Sequence, residues 1–320
     1  MKLHHLELLC DPKTGDSFEV EIKKMEDDEI VEGILTSQNN IYKIYNGIPR
    51  FVDEDNYSNN FGWQWNKWAR IQFEDENVGG SMEGYTRNMF HTISEFTKER
   101  VNEKIVLDIG CGPGRFSDII LEMGGIPILL DHSNAIDACK ENFKEKSNNI
   151  LFMQGDALAL PLKSESVDFA FSIGVLHHTP NPKQGVAEAY RVLKPNGDFA
   201  ISVYSKDSYY TFSTVSLWRK VFKSVWPLFK HYPPLIYSNL FGRLNHYLGK
   251  INIYLTYPIR FIFPTIVLPD LKWSVLDTFD SITTSYQSGH TIYEVFKWFE
   301  DIKFSRIRPG NWRVNIIGTK

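Results

Sequence analysis

Between residues 101 and 205 short apolar runs alternate with stretches whose apolar positions recur at helical spacing. The runs fall at 105–109, 126–130, 149–154, 167–173 and 198–203, each five to seven residues long, which is the length of a buried strand. Helices are predicted over 114–123, 135–146 and 185–193, and Lys194-Pro-Asn-Gly197 reads as a turn. Repeated β-α units imply a parallel sheet that offers ligands the carboxyl ends of its strands.

The flanks are patterned differently. In residues 1–55 Phe18, Val20 and Ile22 alternate with charged residues as a half-buried strand would, and Ile41, Tyr42, Ile44 and Tyr45 form another, followed by an Asn46-Gly47 turn. This predicts a small β-rich module. Residues 56–100 link it to the α/β core, and Phe61–Trp68 crowds four aromatics into eight positions, either as a helix packed on the core or as a lid. In 206–275 Phe212, Trp218, Phe222, Trp226 and Phe229 recur at helical spacing, so a helical insertion is expected. In 276–320 Thr291 and Glu294 make a capping box for a helix over 292–300, and strands at 304–308 and 312–318 flank a Pro309-Gly310 turn.

Composition narrows the class. The chain has 320 residues, 42% of them hydrophobic, which suffices for one large domain or two ordinary ones. A net charge of −4 argues against a protein that coats nucleic acid. Nine Lys/Arg against two Asp in 206–275 break that balance locally. A basic aromatic helix can lie on a membrane surface, but the reading adopted here is a cap with aromatics facing the core and lysines facing water. Cys10, Cys111 and Cys139 are odd in number and far apart, as reduced thiols of a cytoplasmic protein would be. No apolar leader is evident at the start, and the most apolar window, 251–268, is broken by Pro258, Arg260 and Pro264.

The chemistry concentrates at 105–116. Asp108 closes a strand, and Gly110, Gly112 and Gly114 alternate through the turn to the next helix. A dinucleotide turn is G-x-G-x-x-G and receives a pyrophosphate. Here a carboxylate precedes D-x-G-x-G-x-G, which repels phosphate and suits an ammonium group. S-adenosylmethionine (SAM) carries an α-amino group, a sulfonium and no phosphate. Asp131 ends the second strand and can accept from ribose hydroxyls, while Asp156 ends the third, positioned for the adenine amine with the Ala157 N–H facing a ring nitrogen. Three acids in phase with three strands point to one nucleoside site.

These motifs resemble the class I SAM-dependent methyltransferases of the type 11-like group. The resemblance rests on Val106-Leu-Asp-Ile-Gly-Cys-Gly-Pro-Gly114, Gly155-Asp-Ala-Leu-Ala-Leu-Pro-Leu162, Gly174-Val-Leu-His-His-Thr-Pro-Asn-Pro182 and Arg191-Val-Leu-Lys-Pro-Asn-Gly197. It implies a Rossmann-like seven-stranded sheet, SAM as cofactor with S-adenosylhomocysteine as product, and cofactor contacts at Asp108, Gly110, Cys111, Gly112, Gly114, Asp131, His132, Asp156, Ala157 and Ile173. Residues 1–55 resemble a Trm112-like, zinc-ribbon-related module through Leu8-Leu-Cys-Asp-Pro-Lys-Thr-Gly15 and Tyr45-Asn-Gly-Ile-Pro-Arg-Phe-Val52. Lys13 stands where a second thiol belongs, so the module is expected to be metal-free.

Methyl transfer to an O or N nucleophile needs alignment, exclusion of water and a proton acceptor. His177 and His178 follow the fourth strand and are the candidates for that acceptor, His178 the better one. Trp63, Trp65, Tyr85 and Arg87 on the covering segment, with Tyr286 and His290 from the C-terminal side, are candidates for the acceptor pocket. The acceptor expected is a small molecule, glycan or lipid-like compound, with no nucleic-acid partner. An RNA methyltransferase and a non-catalytic SAM-fold scaffold are the alternatives.

Overall fold

A computed structural model of the chain describes residues 1–53, 56–146 and 149–320. An antiparallel meander comes first: β1 (Glu19–Glu26), β2 (Glu29–Thr36), β3 (Ile41–Tyr45) and β4 (Ile48–Arg50). Two covering helices follow, α1 (Asn59–Lys67) and α2 (Tyr85–Ser94), then the short α3 (Lys98–Val101). The alternating core is β5 (Ile105–Ile109), α4 (Arg115–Glu122), β6 (Ile126–Asp131), α5 (Ala135–Asn142), β7 (Leu151–Gln154), β8 (Val167–Ile173), α6 (Pro182–Val192) and β9 (Leu193–Ser202). A helical stretch holds α7 (Ser213–Phe229), α8 (Tyr232–Tyr237), α9 (Arg243–Ile251), α10 (Tyr257–Ile262) and α11 (Leu271–Thr283). The chain closes with α12 (Ile292–Ile302), β10 (Ser305–Pro309) and β11 (Asn315–Thr319).

One sheet runs through all of it, in the order β1-β2-β3-β4-β7-β6-β5-β8-β9-β11-β10. From β7 to β9 neighbours are parallel, and β11 returns antiparallel against β9 with Ile316 opposite Ile201. The strand order reverses between β5 and β8, which opens a crevice at their carboxyl ends. The seven-stranded Rossmann-like sheet is therefore present, and four N-terminal strands extend it. The join is narrow: Arg50 pairs with Gln154, and the Phe51 amide donates to the Gln154 carbonyl at 2.8 Å. Arg50 reinforces it with a paired contact to Asp137 and a bond to the Gln154 side chain.

Several elements differ in extent from the reading above. β2 carries an interrupted pattern, Ile30, Gly33 and Leu35 facing the core, and lacks the alternation that marked β3. Ile22 on β1 is exposed, because that strand is the outer edge of the sheet. Residues 194–197 belong to β9, where Asn196 takes a positive φ of 66° and a register shift absorbs the irregularity. The helical stretch continues past 275 to Thr283, and the capping box of α12 forms as expected, with Glu294 N to Thr291 Oγ1 at 3.1 Å. Of the aromatics on 212–229, Phe222 is buried and Trp218 donates to the Ile262 carbonyl, but Phe212 and Phe229 face outward.

The Cys10–Gly15 loop is organised by a carboxylate. Asp11 is buried and accepts from Ser37 Oγ, from Lys13 N at 2.8 Å, from Asn40 Nδ2 at 2.8 Å and from Tyr42 Oη at 3.0 Å. Burial opposes its ionisation, yet these donors hold its pKa below the ordinary 3.8. Among the described residues no group of three His, Cys, Asp or Glu is placed to hold a metal. Asp11→Ala leaves buried hydroxyls without an acceptor and should cost about 3 kcal/mol in urea unfolding at pH 7. Because the folded pKa is the lower one, the wild type's advantage is complete above the ordinary value and disappears as pH falls through the lowered one.

Candidate functional site

The β5–α4 turn is pinned to the neighbouring strand. Gly110 N and Cys111 N both donate to the Leu130 carbonyl at 2.7 and 3.0 Å, and Gly112 N donates to Asp131 Oδ2 at 2.9 Å. Gly110 has φ +82°, and a Cβ there would meet Val175 at 2.3 Å. Gly112 has φ +54°, and a Cβ there would lie 3.2 Å from Trp65 Nε1. The turn thus exposes bare backbone to a cavity of about 680 Å³, within the range of small-molecule sites. Asp108 does not reach that cavity. It lies beneath the turn, accepts from Ser117 Oγ at 2.7 Å, and burial lifts its pKa to about 7. Gly114 also sits behind the wall, against Phe143.

The second strand end supplies the next side. Asp131 Oδ1 accepts from Ser133 N and Oγ at 2.8 and 2.7 Å. With Gly112 this uses three of roughly four lone-pair sites on the carboxylate, which leaves one for a ligand. Burial raises its pKa against those hydrogen bonds. His132 stacks on Tyr57 with centroids 4.5 Å apart, and its Nδ1 meets Ser58 Oγ at 2.8 Å. Burial lowers its pKa, so the ring is neutral at neutral pH. Cys111, Ala157 and Ile173 line the same wall, whereas Asp156 sits behind it, accepting from Leu158 N at 2.9 Å, with its charge felt by Tyr57 and His132.

The two histidines part company. His178 lines the cavity and donates from Nδ1 to the Tyr286 carbonyl at 3.0 Å, which leaves the Nε2 lone pair unprotonated. Burial lowers its pKa to about 4. His177 is sealed behind Tyr204, with ring centroids 3.7 Å apart, and its Nδ1 accepts from Tyr204 N. It does not border the cavity. His290 lies behind it too, bonded through Nε2 to Ser288 Oγ. Tyr286 contributes its carbonyl, while its ring packs edge-on to Tyr57. On the covering segment Trp65 and Tyr85 border the cavity. Trp63 does not: it stacks on His231 at 3.8 Å. Arg87 points outward to Glu122.

Residues without a motif complete the wall. Asp277 and Asp280, three apart on α11, share one helix face and border the same cavity as the glycine turn. Asp280 accepts from Gln64 Nε2 at 3.0 Å, and Arg115 at the start of α4 borders the same cavity within charge range of both acids. Burial lifts Asp277 to about 7, helped by Asp280, and lifts Asp280 to about 6. Tyr204 and Tyr210, stacked 4.2 Å apart, flank the acids. An Asp-x-x-Asp on a polar helix face was the available signal, but nothing in sequence ties it to strand ends a hundred residues earlier.

Residues 107–201 match a protein family described as a methyltransferase domain. Over 139 residues the chain is 32% identical to the tRNA (carboxymethyluridine(34)-5-O)-methyltransferase of Macaca fascicularis, covering 42% of this chain and 20% of that protein. Over 112 residues it is 28% identical to the ubiquinone biosynthesis O-methyltransferase of Saccharophagus degradans, covering 34% of this chain and 48% of the other. The chain thus spans between a fifth and a half of the length of these relatives. A solved SAM-dependent methyltransferase from Aquifex aeolicus aligns over 74% of this chain and 96% of its own, at 14% identity and a TM-score of 0.39. Residues 107–201 thus carry a methyltransferase domain, set within a Rossmann-like sheet.

Gly112→Ala should weaken S-adenosylhomocysteine binding about tenfold or more in isothermal titration, since the added carbon strains the backbone and meets Trp65. Unchanged affinity would remove the turn from the cofactor site.

Proposed function

We propose that the protein transfers the methyl group of SAM to an oxygen or nitrogen of a small-molecule acceptor held against α11. The observation that carries this reading is a single cavity lined by two chemically different sets of groups: bare glycine backbone with Asp131, and the Asp277–Asp280 pair. Gly110, Cys111, Gly112, Asp131, His132, Ala157 and Ile173 would hold the cofactor, with Tyr57 beside His132 and Trp65 over the turn. When bound, SAM supplies an activated methyl on a sulfonium, which aromatic faces and carboxylates favour and a phosphate site would not.

The acid pair supplies the proton acceptor. A buried carboxylate lifted toward neutrality combines ionisation at working pH with enough basicity to take a proton from a hydroxyl or ammonium. His178, with its pKa lowered to about 4, stays neutral throughout and accepts a hydrogen bond through Nε2. Arg115 balances the charge of the two acids and Tyr204 and Tyr210 enclose the acceptor, excluding water. A cavity of about 680 Å³ that also has to hold the cofactor supports a low-molecular-weight acceptor, although a tRNA enzyme is among the relatives. For this purpose the chain divides at 1–55, 56–100, 101–205, 206–275 and 276–320. The boundary at 55 lies outside the described residues, and the Trm112-like segment serves as a metal-free extension of the sheet.

Incubation with methyl-labelled SAM and fractionated metabolites should move the label to oxygen or nitrogen of a small molecule. Label found only in RNA, or no turnover despite cofactor binding, would contradict the proposal. With that acceptor, the rate should rise between about pH 6 and 7 as the pair ionises. Asp277→Asn/Asp280→Asn should abolish that rise and lower kcat about 10²–10⁴-fold. A rise that persists in this variant and vanishes in His178→Ala would return the role to the histidine.

A further inference from the structure

One helix of the insertion, α9, is built inside out, and its neighbours also leave apolar stripes exposed. Along α9 the buried positions are polar: Asn245 is 0% exposed and bonds Thr265 Oγ1 at 2.8 Å, and His246 is 2% exposed and meets the Leu268 carbonyl at 3.1 Å. Leu244, Tyr247 and Ile251, spaced i, i+3, i+7, form an apolar stripe on the opposite, exposed side, with Ile251 at 76%. On α7 Val215 and Phe222 pack inward while Leu217, Val221 and Leu228 fall within about 40° of one another on the outside, at 100° per residue. The inner sides of α7, α8 and α9 rest on α11, so these stripes turn away from the core. Phe261 on α10, 75% exposed, adds to them.

Charge follows the same geography. From 208 to 269 there is no Asp or Glu, against Arg219, Lys220, Lys223, Lys230, Arg243, Lys250 and Arg260, in a chain of net charge −4. Arg219 and Arg260 are tied to the backbone carbonyls of Tyr210 and Thr265. The other five are exposed, and none makes an ion pair among the described residues. Arg243 and Lys250 sit about 70–90° round the helix from the α9 stripe, along its border. Their aliphatic stems can lie on an apolar layer while their charges stay in water.

We propose that this outer face seats the protein on an anionic phospholipid surface. Neither RNA nor a second copy fits as well. RNA would be held mainly by its phosphates and would leave the Leu217, Val221, Leu228, Leu244 and Ile251 stripes largely wet, and two copies of this face would bring like charges together. Among the described residues no helix is long and apolar enough to cross a membrane, so the contact is peripheral. It adds a lipid contact to the expected cap, in which Phe222 and Trp218 do pack inward while Phe212 and Phe229 face out. The docking stands apart from the methyl-transfer reading, since it uses no residue of the cavity.

Sedimentation of the full chain with vesicles of phosphatidylcholine, with and without phosphatidylglycerol, tests it. The protein should pellet with the anionic vesicles, and each of Lys220→Gln, Lys223→Gln and Lys250→Gln should lower partitioning about fivefold. Leu228→Ser/Ile251→Ser/Phe261→Ser should lower it at least about tenfold, with S-adenosylhomocysteine affinity unchanged. No binding to either vesicle would overturn the proposal. So would a dimer in solution that the triple serine variant makes monomeric. RNA binding that the glutamine variants abolish and the serine variant leaves intact would overturn it as well.

Discussion

Three hydrogen bonds between the first two parallel strands decide where everything else in the site can stand. Leu130 accepts from Gly110 and Cys111, and Asp131 accepts from Gly112, so the turn after β5 is fastened to the end of β6. Gly110 and Gly112 take positive φ in this fastened turn, and neither places a Cβ against the cavity. Backbone then forms the floor of the cavity, and a carboxylate already committed to the turn has one acceptor site left for a ligand. Asp108 supports this arrangement from beneath, through Ser117.

The rest of the cavity wall is assembled from distant segments, and this governs what could be read in advance. Strands β5 to β9 were legible because buried parallel strands leave continuous apolar runs, and the glycine turn because positive φ admits few other residues. His178, Trp65 and Tyr85 were legible as cavity residues, since they lie near those landmarks along the chain. Asp277 and Asp280 were not. Their importance comes from the packing of α11 over the strand ends, a tertiary contact with no local signature. His177 and Trp63 failed for the converse reason: adjacent residues on a turn or helix point to different sides, so a promising neighbourhood placed them behind the wall.

The insertion gives a second instance of context overriding pattern. Helical spacing of aromatics on 212–229 correctly indicated a helix, but periodicity alone does not say which stripe faces inward. On α9 buried Asn245 and His246 are satisfied by Thr265 and the Leu268 carbonyl, which allows a polar interior and releases the leucine and isoleucine side for the surface. The inversion is thus anchored by specific hydrogen bonds, and the protein joins an internal cavity to an outward-facing apolar and cationic surface.

The central claim is that the cavity at the ends of β5, β6 and β8 takes the adenosyl thioether. A crystal structure of the protein grown with S-adenosylhomocysteine tests it most directly. The account predicts ligand density against the Gly110–Gly112 backbone and Asp131, beside Tyr57 and His132. A vacant cavity, or the ligand bound elsewhere on the chain, would contradict it.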